Sequence, residues 1–242
     1  MIVRTKGIVL SHIPYKESSI ICKIYTEELG IKSFIIHNVR SKKNSNNTIF
    51  LQPLTLVDLD IYHKAKATLH RIKEHRITIP FHSIPFNQNK RAVTFFVTEA
   101  LEKCLKEEHA NSEMFAFLSQ AIELFDSQGH YSENFHIFLL FFLTKYLGFF
   151  PHSVENEGDD RYFDLREGKY CLIPPFHQNF LDQEDTKIWK EISEKGDKLL
   201  TNYKIDRLHR KIVLDKLLEY YALHIPAFGE FKTLNILQQL FE

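Results

Sequence analysis

Apolar and polar side chains alternate through most of the first 80 positions, and near residue 85 a helical period replaces that alternation. Gly7 to Ile13 reads as a first strand, closed by Pro14-Tyr15-Lys16-Glu17-Ser18, where a proline and small polar groups favour a turn. From Ser19 to Thr26 the alternation resumes, with Ile20, Cys22 and Ile24 on one face and Ser19, Ile21, Lys23 and Tyr25 on the other. Glu27-Glu28-Leu29-Gly30 is the next turn, and Ile31 to His37 a third strand. Pro53, within Phe50-Leu51-Gln52-Pro53-Leu54, forbids a central strand there. Thr55 to His63 then sets Val57, Leu59 and Ile61 against Asp58, Asp60 and Tyr62. A last strand runs from Thr68 to Ile79, with Lys64-Ala65-Lys66 as the tight hairpin turn before it. Five antiparallel strands with an irregular piece between the third and fourth is the pattern of an OB-fold barrel.

Beyond Ile84-Pro85, Val93, Phe96, Val97, Ala100, Leu101 and Cys104 recur at helical spacing, which predicts a long amphipathic helix from about Asn89. Asn111 is placed to cap a second helix carrying Phe115, Leu118, Ile122 and Phe125, ended by Gly129. A third, from Ser132 to Leu147, is apolar nearly all round, as the buried centre of a bundle must be, and Gly148 closes it. The stretch from 148 to 180 is irregular: an acidic loop from Glu155 to Asp160, then a hairpin from Tyr162 to Ile173 that turns at Glu167-Gly168 and packs through Phe163, Leu165, Tyr170 and Leu172. Helices over 186–195 and 206–221 follow, and Leu234, Ile236, Leu237 and Leu240 mark a short terminal one. The class is therefore α+β: an N-terminal OB-fold barrel over residues 1–82, then a mostly helical domain over 83–242 with a small β-hairpin insertion at 148–180.

Composition adds two constraints. Apolar residues make up 44% of the chain, with 21 Phe and 10 Tyr, ample for a packed core and unlike a disordered chain. The net charge of zero hides an asymmetry, because residues 1–82 carry 13 Lys and Arg against 6 Asp and Glu, while the remainder carries 18 against 25. An anionic partner is expected at the front and something different at the back. Cys22, Cys104 and Cys171 lie far apart, so neither a disulfide framework nor a zinc knuckle is written here, and a reduced cytoplasmic setting is expected. The opening residues lack the core and cleavage site of a signal peptide. The most apolar run, Phe135 to Leu143, is nine residues broken by His136, too short for a bilayer that needs roughly twenty.

Several short pieces carry a resemblance. Thr5-Lys6-Gly7-Ile8-Val9-Leu10, Tyr15-Lys16-Glu17-Ser18-Ser19, Tyr25 through Gly30, Arg40-Ser41-Lys42-Lys43 and Leu51-Gln52-Pro53-Leu54 come in the order and spacing of the bacterial RecO family of DNA repair proteins. The tail, Leu208-His209-Arg210 through Tyr220-Tyr221 to Leu240, continues the likeness, which spans nearly the whole chain. The resemblance implies an OB-fold followed by a helical domain, and a recombination mediator rather than an enzyme. Such proteins bind single- and double-stranded DNA, engage the acidic C-terminal tail of single-stranded DNA-binding protein, pair with RecR, anneal complementary strands and help load RecA. Many members carry a four-cysteine zinc motif after the central helix. Here the corresponding stretch offers only Cys171, with His152 and His177 nearby in sequence, so no metal or other cofactor is expected. Asn38 stands where the family usually has glycine, and Asn tolerates positive φ.

Candidate contacts follow. Arg40, Lys42 and Lys43 sit among asparagines in the loop after the third strand, and Lys64 and Lys66 in the later turn; such OB-fold loops flank the binding face and track phosphates. Lys23 and Lys32, on the second and third strands, join this set. Tyr15, Tyr25, Phe34 and Tyr62 either stack bases or pack the barrel. Arg207, Arg210 and Lys211 fall at i, i+3 and i+4 of a helix start, a basic face suited to an acidic, Phe-ending peptide. Two rivals stay open. One is an OB-fold RNA-binding or adaptor protein; the other is a nuclease holding Mg²⁺ on Glu155, Glu157, Asp159 and Asp160. No G-x-S-x-G, phosphate-cradling glycine loop or H-E-x-x-H supports an enzyme.

Overall fold

A computed structural model describes residues 1–37, 39, 49–64, 67–106, 109–127, 133–152, 161–195 and 205–241. By contact the chain falls into two compact units, residues 1–127 and 128–242. The first opens with β1 (Ile2–Tyr15), β2 (Ser19–Thr26), β3 (Gly30–Ile36), β4 (Leu56–Tyr62) and β5 (Leu69–Ile77), which close into a barrel in the order β1-β2-β3-β5-β4.

The alternation places the core as expected. Ile20, Cys22 and Ile24 of β2, Phe34 of β3 and Val57, Leu59 and Ile61 of β4 fill the barrel interior. Burial there pushes the Cys22 thiol up to about 12, so it behaves as a small apolar side chain. Two features depart from the sequence reading. The strands are not all antiparallel: β3 and β5 pair in parallel, Ser33 to Ile35 against Leu69 to Arg71. Successive strands here reverse direction, so the third and fifth point the same way, and closing the barrel sets them side by side. β1 is also longer than Gly7 to Ile13, because one strand serves two neighbours: Ile2 to Ile8 pair with β4, and Gly7 to Tyr15 with β2. The handover falls at Gly7, where a Cβ would lie 2.7 Å from Ile24 Cγ2, and a bulge follows between Val9 and Ser11. Pro53 lies outside the sheet, in a turn where Leu54 N donates to Val9 O at 2.7 Å.

Two helices complete this unit. In α1 (Gln88–Cys104) the Asn87 side chain caps the helix, accepting from Lys90 N at 3.1 Å, and in α2 (Ser112–Ser127) Asn111 accepts from Met114 N at 2.9 Å, the N-cap expected there. They pack on the outside of β1 and β2: Glu102 accepts from Ser11 Oγ, the Tyr25 ring lies 5.9 Å from Phe115, and its hydroxyl donates to Asn111 O at 3.3 Å. The side chain of Lys90, 1% exposed, is buried between the helices. Its Nζ donates to Phe125 O at 2.6 Å and Ser83 Oγ at 2.7 Å. Beside it the Asp126 carboxylate accepts from the backbone of His82, Ser83 and Ile84 at 2.6–2.9 Å. Gly129, expected to end α2, lies outside the described residues.

In the second unit every residue of α3 (Phe135–Leu147) from Phe135 to Thr144 is buried, and Gly148 ends the helix at φ +86°. The hairpin forms as β6 (Tyr162–Asp164) and β7 (Lys169–Cys171), with β8 (Phe180–Leu181) adding to the other side of β6. Two residues are too few for periodicity to reveal β8. Leu172 does not pack the hairpin; it is 52% exposed, one residue past the end of β7. Phe163 packs instead against Tyr170, Trp189 and Tyr220, with centroids 4.8–5.6 Å apart. α4 (Gln183–Lys195), α5 (Arg207–His224) and α6 (Leu234–Phe241) follow.

Candidate functional site

The barrel treats its cations unequally. Lys23 projects from β2 toward α1, with Nζ 3.3 Å from Glu102 Oε1, and the same carboxylate oxygen accepts from Ser11 Oγ at 2.5 Å. Lys32 is half-buried on β3, in register with Ile24, while Lys64 is exposed just after β4. Arg40, Lys42, Lys43 and Lys66 lie outside the described residues, as does the acidic loop from Glu155 to Asp160. On the β1 and β5 sides of β4, charge is matched internally: Arg4 meets Asp60 at 3.2 Å and Arg76 meets Asp58 at 2.8 Å.

The four aromatic candidates separate. Phe34 lies inside the barrel and Tyr25 under α2, so neither ring offers a face to a base. Tyr15, at the end of β1, and Tyr62, at the end of β4, are exposed. Each adjoins a cation in the following connection: Lys16 Nζ lies 5.4 Å from the Tyr15 ring centroid, and Lys64 follows Tyr62 by two residues. The β1–β2 and β4–β5 connections of this barrel thus each pair an exposed ring with an exposed cation. An outward row, Ile13 on β1, Ile21 on β2, Ile35 on β3 and Arg71 on β5, lies in register across the sheet.

In the second unit the three basic residues of α5 come together. Asp206 caps the helix, accepting from Leu208 N at 3.1 Å and His209 N at 3.3 Å, and the helical turn then sets Arg207, Arg210 and Lys211 along a groove of about 580 Å³. Leu208, Leu214 and Leu237 supply its apolar lining, and Leu208 is 67% exposed. Arg207 and Lys211 are exposed, but Arg210 is not the solvated cation that its spacing suggests. Its side chain is 13% exposed, Nε donates to Asn134 Oδ1 at 2.8 Å, and Nη2 donates to Ile205 O at 3.3 Å and meets Glu133 Oε2 at 2.6 Å. His136 of α3 also lines the groove; burial first, and the charge of Arg210 second, push its pKa down to about 3, so it stays neutral. An apolar cleft edged by fixed positive charge can hold an apolar side chain that has carboxylates beside it.

Sequence reasoning missed Glu133, His136 and Leu237 as lining or neighbouring groups, and Glu102 as the partner of Lys23. Only Leu208, an apolar residue between two basic ones at a helix start, carried a local signal. Where the zinc motif would stand, Cys171 Sγ donates to Tyr162 O at 3.7 Å and His177 Nε2 lies 3.3 Å from Asp164. Among the described residues no group of three or more His, Cys, Asp or Glu is placed to hold a metal ion. Among the same residues no helix is long and apolar enough to cross a membrane.

Comparison with known proteins covers almost the whole chain. Residues 1–81 match the family model described as recombination protein O N terminal, and residues 88–227 the one described as recombination protein O C terminal. The DNA repair protein RecO of Flavobacterium psychrophilum is 37% identical over 244 aligned positions, covering 100% of both chains. Those of Phocaeicola vulgatus and Bacteroides fragilis are each 31% identical, again over 100% of both chains.

Proposed function

Because this chain belongs to the RecO family of DNA repair and recombination proteins, we propose that it acts as a non-enzymatic recombination mediator. It binds single- and double-stranded DNA through the connections of its barrel, anneals complementary strands, and with RecR helps load RecA onto strands coated with single-stranded DNA-binding protein. The observation that carries this reading is the uneven placing of charge. On the strands Arg4, Lys23 and Arg76 are matched by Asp60, Glu102 and Asp58, while exposed Lys16 and Lys64 of the connections, with Arg71 of β5, stand to meet phosphates, and Tyr15 and Tyr62 stand there for bases. Lys23 meets Glu102 but keeps a partly exposed side chain, and with Lys32 it stays among the candidate DNA contacts. In the second unit, the groove under Arg207 and Lys211 fits the acidic tail of single-stranded DNA-binding protein, with its terminal aromatic ring on Leu208, Leu214 and Leu237.

Changing Arg40, Lys42 and Lys43 together to Ala tests the DNA contact. The variant is expected to anneal complementary coated strands poorly while each substitution costs less than about 0.5 kcal/mol of stability. Losing three phosphate contacts flattens the log–log salt dependence of single-strand binding by about two units, at roughly 0.7 per contact. Wild-type affinity and salt slope in a folded variant would remove this loop from the interface. Matched DNA and RNA oligonucleotides separate a DNA mediator from an RNA-binding protein of the same fold.

A further inference from the structure

Arg210 lines the groove, and its guanidinium already holds the carboxylate of Glu133. Nε and Nη2 are anchored from within, on Asn134 Oδ1 at 2.8 Å and Ile205 O at 3.3 Å, which fixes the guanidinium plane whether or not anything else approaches. A third contact, Nη2 to Glu133 Oε2 at 2.6 Å, is of a different kind: the Arg210 side chain is 13% exposed and that of Glu133 is 56% exposed. The anchored partner is therefore the arginine, and the exposed one is the glutamate. A charge-assisted bond between them is strong enough to form yet is reached by water on the glutamate side. The acidic residue that lines the groove, Asp206, is tied down by capping α5 through Leu208 N and His209 N and by its hydrogen bond to the His209 ring. Among the described residues Glu133 has no such second duty.

We propose that Glu133 is a resident carboxylate that occupies Arg210 until an acidic peptide displaces it, so that this residue sets the affinity and selectivity of the groove. The inference rests on the reading of the groove as an acidic-peptide site and goes beyond it. An incoming carboxylate finds Arg210 already oriented and partly desolvated, so the exchange replaces one ion pair with another and orders little new structure. Apolar peptides without a carboxylate gain Leu208 and Leu237 but cannot replace Glu133 on the guanidinium, so the groove favours ligands that carry both features. Neutral His136, beneath the arginine, adds no competing charge.

The test measures, by fluorescence anisotropy on the full-length protein, binding of a synthetic acidic peptide copying the tail of single-stranded DNA-binding protein. Glu133→Gln and Glu133→Ala are both expected to bind it about three- to fivefold more tightly than wild type, the size of effect that a partly exposed ion pair carries. Glu184→Gln removes the same charge from a residue that contacts His209 rather than Arg210, and is expected to change affinity by less than about twofold. Unchanged or weaker binding in the Glu133 variants, or equal tightening in Glu184→Gln, overturns the proposal. Reversing Arg207 and Lys211 to Glu judges the underlying reading separately. If that reversal leaves peptide binding at wild-type strength, the groove is not the peptide site; if it abolishes binding while Glu133→Gln has no effect, only the resident-carboxylate idea falls.

Discussion

Each unit of the molecule buries a cation beside helix ends, and the two are used differently. In the first, Lys90 reaches from the start of α1 to the last carbonyls of α2, Phe125 O and Asp126 O, where the helix dipole favours positive charge. Burial lowers its pKa and the nearby Asp126 carboxylate raises it, with the net shift downward. Burial alone would raise the pKa of Asp126, but the backbone amides of His82, Ile84 and Ser83 outweigh it and hold the carboxylate below its ordinary range. In the second unit, Arg210 ties Asn134, at the start of α3, to Ile205, just before α5, with the same economy. Lys90 is 1% exposed and faces nothing but protein, whereas Arg210 opens on a groove. A buried cation becomes a recognition element through access rather than burial, and the residue that controls access matters as much as the cation.

The largest effect expected from breaking this contrast is at Asp126. Asp126→Ala strips the acceptor from three backbone amides and leaves Lys90 without its carboxylate, which should cost about 3–5 kcal/mol of stability in urea denaturation. It should leave peptide affinity in the folded protein unchanged. A loss below about 1 kcal/mol would mean that the first clamp is ornamental. Arg210→Ala should cost less, about 2–3 kcal/mol, because one side of the arginine is near solvent, but it should weaken peptide binding as well. Stability loss without a change in affinity would make the two cations equivalent and erase the distinction.

The smallest effect, about 2 kcal/mol between pH 7 and pH 5, is a pH dependence. His136 has a pKa of about 3 when folded against 6.5 ordinarily, so between those values the unfolded chain holds more protons. Its contribution to stability is complete above pH 6.5 and is lost as the pH falls toward 3, by about 1.4 kcal/mol for each unit inside that window. His136→Gln should lower stability less steeply between pH 7 and pH 5 than wild type does, measured by urea denaturation at each pH. Parallel pH profiles for the two proteins would show that His136 does not titrate in this range on unfolding.

Local chemistry made much of the fold legible in the sequence. Strand faces such as Val57, Leu59 and Ile61, the caps at Asn111 and Gly148, and the helical spacing of Val93, Phe96 and Val97 each depend on neighbours within a few residues. What escaped depends on distant partners. Lys90 reads as an ordinary polar position in the first turn of a helix, and its burial follows from Phe125, 35 residues on. The parallel pairing of β3 with β5 is a property of closure, not of either strand. The candidate peptide site was half visible, since the i, i+3, i+4 spacing grouped Arg207, Arg210 and Lys211 correctly. The spacing could not tell that Arg210 is anchored by Asn134, 76 positions earlier, while its two neighbours stay exposed. Tyr25 and Phe34 alternate like any other strand aromatics, and only the placing of α2 and the barrel interior decides that they are covered.

Closure of the barrel also has a meaning in time. As the chain leaves the ribosome, the β1-β2-β3 meander is complete by Ile36, but its outer partners are β4, at Leu56–Tyr62, and β5, at Leu69–Ile77. Until β4 arrives the first half of β1, and until β5 arrives Ser33 to Ile35 of β3, show unpaired amide and carbonyl groups, the template on which strands of other molecules add. Nascent or prematurely ended chains stopping between residues 37 and 68 therefore carry two sticky borders and no means of closing them. A chain cut before Ile77 cannot close its barrel, and the helices that pack on it arrive only by Ser127.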